Sequence, residues 1–183
     1  MTSLSTGTRF VQPNIVATHF HLQPGEKVAD FGAGSGYFLQ ALSVAVGSNG
    51  RVYACEIQKE LVVKLGLVAT EKHLSNIEPV WCDLETPGGT KLADGALDAG
   101  ILVNTLYQIE DKKNTLIECA RTIKPGGRFF LIDWTDSFAG LGPQALDIVD
   151  AQQAQTLTEA VGFQFERSFD AGEHHYGLAF KKI

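Results

Sequence analysis

The sequence predicts an α/β fold: a mainly parallel sheet wrapped by helices on both faces, closed by one reversed strand. Three observations carry that expectation. Short apolar runs alternate with runs of helical spacing along most of the chain. A run of glycines, "GAGSG", follows the first apolar run directly. The last two strand-like runs are separated only by "DAGEHH", too short for a crossover helix, so they form an antiparallel hairpin.

The elements follow in order. The first strand is Lys27–Phe31, "KVADF", after the turn signal "QPGE". Beyond the glycines, "YFLQALSVAVG" has helical spacing, with Gly47 as its stop. "RVYACEI" reads as a second strand and Glu60–Lys72 as the helix after it. "NIEPVWCDL" reads as a third strand, which Pro79 weakens or places at a sheet edge. "ALDAGILVN" is nearly all apolar, as expected of a strand covered on both faces. Asp111–Ile123 is a helix with Leu116, Ile117, Ala120 and Ile123 on one face; "KPGG" halts it, and "RFFLIDW" begins at once as a fifth strand. Asp150 with Gln153 resembles a capping box opening a helix through Ala160. "FQFERSF" and "YGLAFKK" are the two arms of the hairpin.

At 183 residues the chain fits one domain, 1–183, with a helix-compatible segment at 1–24 that can cover a cleft and a core at 25–183. The 44% hydrophobic content suffices for a buried core. Net charge is −6 and the 15 Lys and Arg residues are scattered, which makes nucleic acid an unlikely partner. Cys55, Cys82 and Cys119 lie far apart without zinc or redox spacing, so they read as buried thiols and no metal is expected. The start, "MTSLSTGTRF", has no apolar signal core, and no run approaches the ~20 apolar residues of a membrane span. A soluble protein of a reducing cytoplasm is the expectation.

Ligands of such sheets bind beyond the carboxyl ends of the strands, and the first strand-to-helix turn is the usual place. Here that turn holds Gly32, Ala33, Gly34, Ser35 and Gly36, one residue tighter than the dinucleotide spacing G-x-G-x-x-G. Asp30 sits just ahead of it. A carboxylate there would repel a pyrophosphate by about 1–4 kcal/mol in a partly wet site. It would instead favour a cationic ligand. S-adenosylmethionine carries a sulfonium and an α-ammonium, plus a carboxylate suited to helix and loop amides. Glu56, at the end of the second strand, can accept both ribose hydroxyls, a role that NAD would also use. Asp83 follows the third strand, where it can accept from an adenine amino group, and Ile57 and Leu84 can flank the ring.

These segments together resemble the class I S-adenosylmethionine-dependent methyltransferases. "VADFGAGSGYF" looks like the first motif of that family and "VYACEI" like its acidic second-strand motif. "WCDLE", with Cys82, Asp83 and Leu84, resembles its adenine-binding segment; "LDAGILVNTLYQIED" resembles its fourth-strand region and "IKPGGRFFLIDW" its turn into strand five. The resemblance implies a Rossmann-like, three-layer α/β/α sandwich with a seven-stranded sheet of order 3-2-1-4-5-7-6, strand seven antiparallel. It also implies methyl transfer by in-line displacement to a small-molecule acceptor, in the style of the quinone-biosynthesis enzymes. A protein or RNA methyltransferase, and a module that binds the nucleoside without turnover, stand as alternatives. A nicotinamide dehydrogenase is disfavoured by Asp30 and the glycine spacing. No "NPPY"-like tetrapeptide follows strand four; Asn104-Thr105-Leu106-Tyr107 stands in its place.

The acceptor side is less legible. Asn104 and Tyr107 after strand four, and Asp133 and Trp134 at the end of strand five, are candidates to face substrate, Tyr107 as an orienting hydroxyl and Asn104 at the cofactor as well. Glu173, His174 and His175 occupy a turn on the same rim, where a histidine could serve as base or simply pack. His19 and His21 carry no assignment. The glycine-rich stretch "TDSFAGLGPQAL" is the one candidate lid, and so short a cover is compatible with a homodimer.

Overall fold

In a computed structural model, described for residues 10–138, 140 and 142–183, seven strands form one sheet of order β3-β2-β1-β4-β5-β7-β6. The strands are β1 (Lys27–Phe31), β2 (Arg51–Glu56), β3 (Ile77–Trp81), β4 (Leu97–Val103), β5 (Ile123–Trp134), β6 (Phe163–Phe169) and β7 (His175–Lys182). β1 to β5 run parallel, and β7 pairs antiparallel with both β5 and β6. The expected order and the reversed hairpin are therefore the ones observed.

Among the described residues α1 (Pro13–Val16) precedes β1, and α2 (Leu39–Val46), α3 (Lys59–Glu71), α4 (Lys112–Thr122) and α5 (Ala151–Glu159) lie between strands. Asp111 caps α4 by accepting from the Asn114 amide, and Asp150 caps α5 by accepting from the Gln153 amide. Each cap satisfies a backbone donor that the helix itself leaves open.

Strand alternation splits the core into two. On one face Val28, Ala54, Ile101, Phe130 and Ile132 pack with Leu42, Leu65, Val16 and Phe20. On the other Ala29, Phe31, Cys55, Leu102, Phe129 and Leu131 pack with Leu116, Cys119 and Ala154. All three cysteines, Cys55, Cys82 and Cys119, are buried and belong to the second cluster. Pro79 lies in β3, the outermost strand, where a missing ladder donor is tolerated.

One boundary differs from the sequence reading. Strand pairing starts at Ile123, opposite Leu97, so the Pro125-Gly126-Gly127 turn lies inside β5 as an irregularity that shifts the register between Leu97 and Ala99. A side chain at Gly127 would meet Ile123 at 2.6 Å and the Asp98 carbonyl at 2.9 Å, which explains the glycine there. No helix among the described residues is long and apolar enough to cross a membrane.

The segment ahead of β1 lies against the sheet through Val16 and Phe20, whose ring sits 4.6 Å from that of Phe130. It also reaches the glycine turn, because Tyr37 donates its hydroxyl to the Val11 carbonyl at 3.0 Å. Residues 1–9 of the expected cover, and Ala139 and Leu141 of the candidate lid, lie outside the described residues.

Candidate active site

β1, β2, β3 and β4 all end at one rim, and their last residues and following turns line a cleft of about 450 Å³. The volume is in the range of small-molecule sites. The β1 turn bends sharply: Gly32, Gly34 and Gly36 have φ of +79°, +54° and +87°. Such values suit glycine and strain most other residues. A side chain at Gly32 would also strike the Thr105 hydroxyl at 2.7 Å. The Gly32 and Ala33 amides both donate to the Cys55 carbonyl at 2.9 Å, which pins the turn to the end of β2.

Asp30 and Glu56 point to the same side of the sheet, two residues beyond Val28 and Ala54, which share one core cluster. Both are buried, and among the described residues neither is ion-paired to a lysine or arginine. Burial, with the neighbouring Glu56 charge adding to it, pushes the Asp30 carboxyl up to about 7. A cation bound between the two would relieve that penalty.

Glu56 is tied down more firmly than a free acceptor. One carboxylate oxygen accepts from the Gly34 amide at 3.0 Å and the other from the Gln58 amide at 2.9 Å. The carboxylate is thereby oriented, and each oxygen keeps a further lone pair for a ligand. Asp83 is held likewise, accepting from the Glu85 amide and the Thr86 hydroxyl at 2.9 Å each. The loop behind Asp83 is anchored on buried Glu118, which accepts from the Gly88 amide, the Thr90 amide and hydroxyl, and the Arg121 guanidinium. Burial alone would raise the Glu118 carboxyl, but those donors overcome it and hold it at about 2.

At the β4 end, Asn104 adopts φ +51°, a left-handed conformation strained for residues other than glycine but less so for asparagine than for most. Its amide donates to the Ile132 carbonyl, while its side-chain Oδ1 is buried without a partner among the described residues. A buried bare acceptor beside a cleft costs free energy until a donor reaches it.

Asp30, Gly32, Ala33, Gly34, Glu56, Ile57, Cys82, Asp83, Leu84 and Asn104 all line the cleft; Gly36, Tyr107, Asp133, Trp134, Glu173, His174 and His175, also singled out from sequence, do not. Gly36 lies behind the turn, where a side chain would meet Leu39 and Leu65 at 2.9 Å, so its smallness serves helix packing. Tyr107 falls outside the cleft lining, although Gln108 of the same 3-10 turn, Leu106–Gln108, is part of it; the backbone of that turn is fixed from below. The fixing residue is Asp133, which accepts from the Tyr107 and Trp134 amides. Asp133 is itself buried rather than facing the cleft, and burial pushes its carboxyl up to about 6 against those amide bonds. Sequence reading missed Tyr37, Phe38, Gln58, Leu61, Glu85 and Gln108 as lining residues. Gln58 and Glu85 stand two residues beyond Glu56 and Asp83, so strand-end position was a usable signal for both.

Residues 29–131 match the family model described as "Methyltransferase domain". The chain is 30% identical over 159 residues, 86% of its length, to an uncharacterized 37.1 kDa protein in transposon TN4556 of Streptomyces fradiae, and covers 43% of that protein. It is 29% identical over 125 residues to a ubiquinone/menaquinone biosynthesis C-methyltransferase UbiE of Legionella pneumophila (strain Corby), covering 67% of this chain and 49% of that one. The chain thus spans less than half the length of these curated relatives. A crystal structure of a SAM-dependent methyltransferase from Aquifex aeolicus is similar at a TM-score of 0.87 and 25% identity, with 95% of this chain and 91% of the other covered.

Proposed function

This chain belongs to the class I S-adenosylmethionine-dependent methyltransferases, and from that premise we propose that it methylates a small-molecule acceptor. S-adenosylmethionine is the methyl donor of the family. When bound, it supplies a methyl group on a sulfonium, whose sulfur departs as a neutral thioether with the electron pair of the broken bond. The observation that carries the reading is the pair of buried carboxylates, Asp30 and Glu56, beside an amide-rich glycine turn. Anionic groups without a cationic partner suit a positively charged nucleoside and oppose a pyrophosphate.

In this reading Asp30, the turn Gly32-Ala33-Gly34 and the bare Oδ1 of Asn104 hold the methionine end. Glu56 takes the ribose hydroxyls with its remaining lone pairs. Asp83 receives the adenine amino group, with Ile57, Cys82 and Leu84 around the ring. The chain then contributes mainly by orienting and by excluding water, since a sulfonium is already an activated leaving group. A small acceptor is supported by the UbiE relatives, whose names place them in quinone biosynthesis. A net charge of −6 speaks against RNA.

Calorimetry with S-adenosylmethionine, S-adenosylhomocysteine and NAD tests the reading. Micromolar-range binding of the first two and none of the third is expected. Tight NAD binding with silence toward both methionine nucleosides would overturn it.

A further inference from the structure

The same rim carries a second group of side chains, beyond the cofactor cleft. Trp134 closes β5 and His175 opens β7; they are paired across the sheet, with ring centroids 4.2 Å apart. Phe138 stacks on His174 at 4.3 Å. Phe10, from the segment ahead of α1, lies 5.9 Å from His174, 6.0 Å from Phe138 and 6.4 Å from Trp134. Aromatic rings from three separate stretches of chain thus converge, and His174 Nδ1 lies within hydrogen-bond distance of Asp136 Oδ1, at 2.6 Å.

His175 is the unusual member. Its ring is 9% exposed. Nδ1 stands 2.9 Å from the Glu173 carbonyl, which can only accept, so Nδ1 carries the proton and Nε2 presents a lone pair. Nε2 is buried and has no partner among the described residues. Burial holds the imidazole below its ordinary pKa, with His174 adding to the effect and the Glu173 carbonyl and Asp136 opposing it. The ring is therefore neutral near pH 7 and offers a hydrogen-bond acceptor that nothing among the described residues uses.

Position along the sheet ties this group to the cleft. Trp134 lies on the face of Ile132 and Phe130, which pack in the same cluster as Val28 and Ala54. Asp30 and Glu56 share that face. Strands β1, β4, β5 and β7 are successive neighbours. At ~4.8 Å per strand, His175 stands roughly 10 Å from the end of β4 and roughly 14 Å from that of β1. A flat molecule of two fused rings fits that interval.

We propose that this group is the acceptor site, and that it takes a planar aromatic hydroxy compound whose hydroxyl donates to His175 Nε2. The assignment rests on the methyl-transfer reading above. Ring faces and edges favour a flat partner. A lone pair inside the site calls for a donor, and an acceptor carrying a carboxylate or phosphate would meet both that lone pair and Asp136.

The test uses 2-naphthol as probe, titrated by calorimetry into protein saturated with S-adenosylhomocysteine. Saturable binding is expected, at least tenfold tighter than that of 2-methoxynaphthalene, which lacks the donor. His175→Ala should weaken 2-naphthol at least tenfold and leave S-adenosylhomocysteine affinity unchanged, and His175→Gln should restore part of the loss. Wild-type affinity should fall as pH drops below the ordinary imidazole range, where Nε2 gains a proton, and His175→Gln should remove that dependence. His174 and Asp136 are the other titratable side chains against the ring, so the difference between wild type and His175→Gln isolates His175. Equal binding of naphthol and its methyl ether, a feature no misfolded variant can mimic, would overturn the proposal, as would failure of the wild type to bind 2-naphthol. Failure of S-adenosylhomocysteine to bind would strike the methyl-transfer reading instead, and the naphthol comparison would then be run on the nucleoside-free protein.

Discussion

The two halves of the rim are built from different material. The ends of β1 to β3 offer backbone amides and fixed carboxylates: Gly34 and Gln58 on Glu56, and Glu85 and Thr86 on Asp83. The ends of β5 and β7 offer rings: Trp134, His174 and His175, with Phe10 and Phe138 laid over them. The first half is stitched together within short stretches of chain, so its geometry is set by local turns. The second is assembled from residues more than a hundred positions apart, and only packing brings them together. A common nucleoside and a variable acceptor would call for just such a division, one half rigid and polar, the other apolar and adaptable.

Substitutions can break that contrast from either side. The largest effect is expected at Glu118→Ala, which strips a buried carboxylate from several donors and leaves the Arg121 guanidinium without it; a loss of about 3–5 kcal/mol in unfolding free energy should appear in denaturant melts. The same loop carries Asp83, so S-adenosylhomocysteine affinity should fall with it. Because Glu118 sits at about 2 in the folded protein against an ordinary 4.5, its contribution is present above pH 4.5 and lost as pH falls toward 2.

Glu56→Ala comes next. It removes a ligand acceptor and leaves the Gly34 and Gln58 amides unpaired, so cofactor affinity should drop by about 2–3 kcal/mol, roughly 30- to 150-fold in Kd. Calorimetry would show it, and an unchanged Kd would mean that the polar half does not hold the ribose. Gly36→Ala sharpens the distinction between turn and cleft: about 1–2 kcal/mol of stability should be lost to the positive φ, with cofactor affinity retained in the folded protein. Tyr107→Phe is expected to do least, within about 0.5 kcal/mol on stability and on cofactor binding alike, because Asp133 grips the backbone amide at that residue rather than the hydroxyl.

The same contrast explains what could be read from sequence. Strand and helix limits followed from local patterns, and Pro79 at the sheet edge followed from a missing donor. Asp30, Glu56 and Asp83 were legible because each stands at or near a strand end, and parallel strands bring their ends together. Gly36 stands behind the lining because its neighbour is Leu65, on a different helix, and a glycine kept small for packing looks in sequence like one kept small for a ligand. Tyr107 stands outside the lining in a turn whose backbone is held by Asp133 on the next strand, a contact no local pattern announces. Of the aromatic group, Trp134, His174 and His175 were legible from their strand ends, whereas Phe10 and Phe138 gain their meaning only from contact with residues 134 and 174.

The central claim, that uncompensated carboxylates select a cationic nucleoside, has a direct thermodynamic signature in Asp30. Its carboxyl lies at about 7 in the free protein against an ordinary 3.8, so folding is opposed increasingly as pH rises from about 4 to 7, and below pH 7 the group holds a proton. A bound sulfonium or ammonium favours the ionised form, so binding must release that proton. Titrating S-adenosylmethionine calorimetrically in two buffers of different ionisation heat, at pH 6 and at pH 8, measures this. The account expects close to one proton released at pH 6, almost none at pH 8, and affinity rising by up to tenfold per pH unit below 7. Binding that is equally tight at both pH values, with no proton released at either, would contradict it.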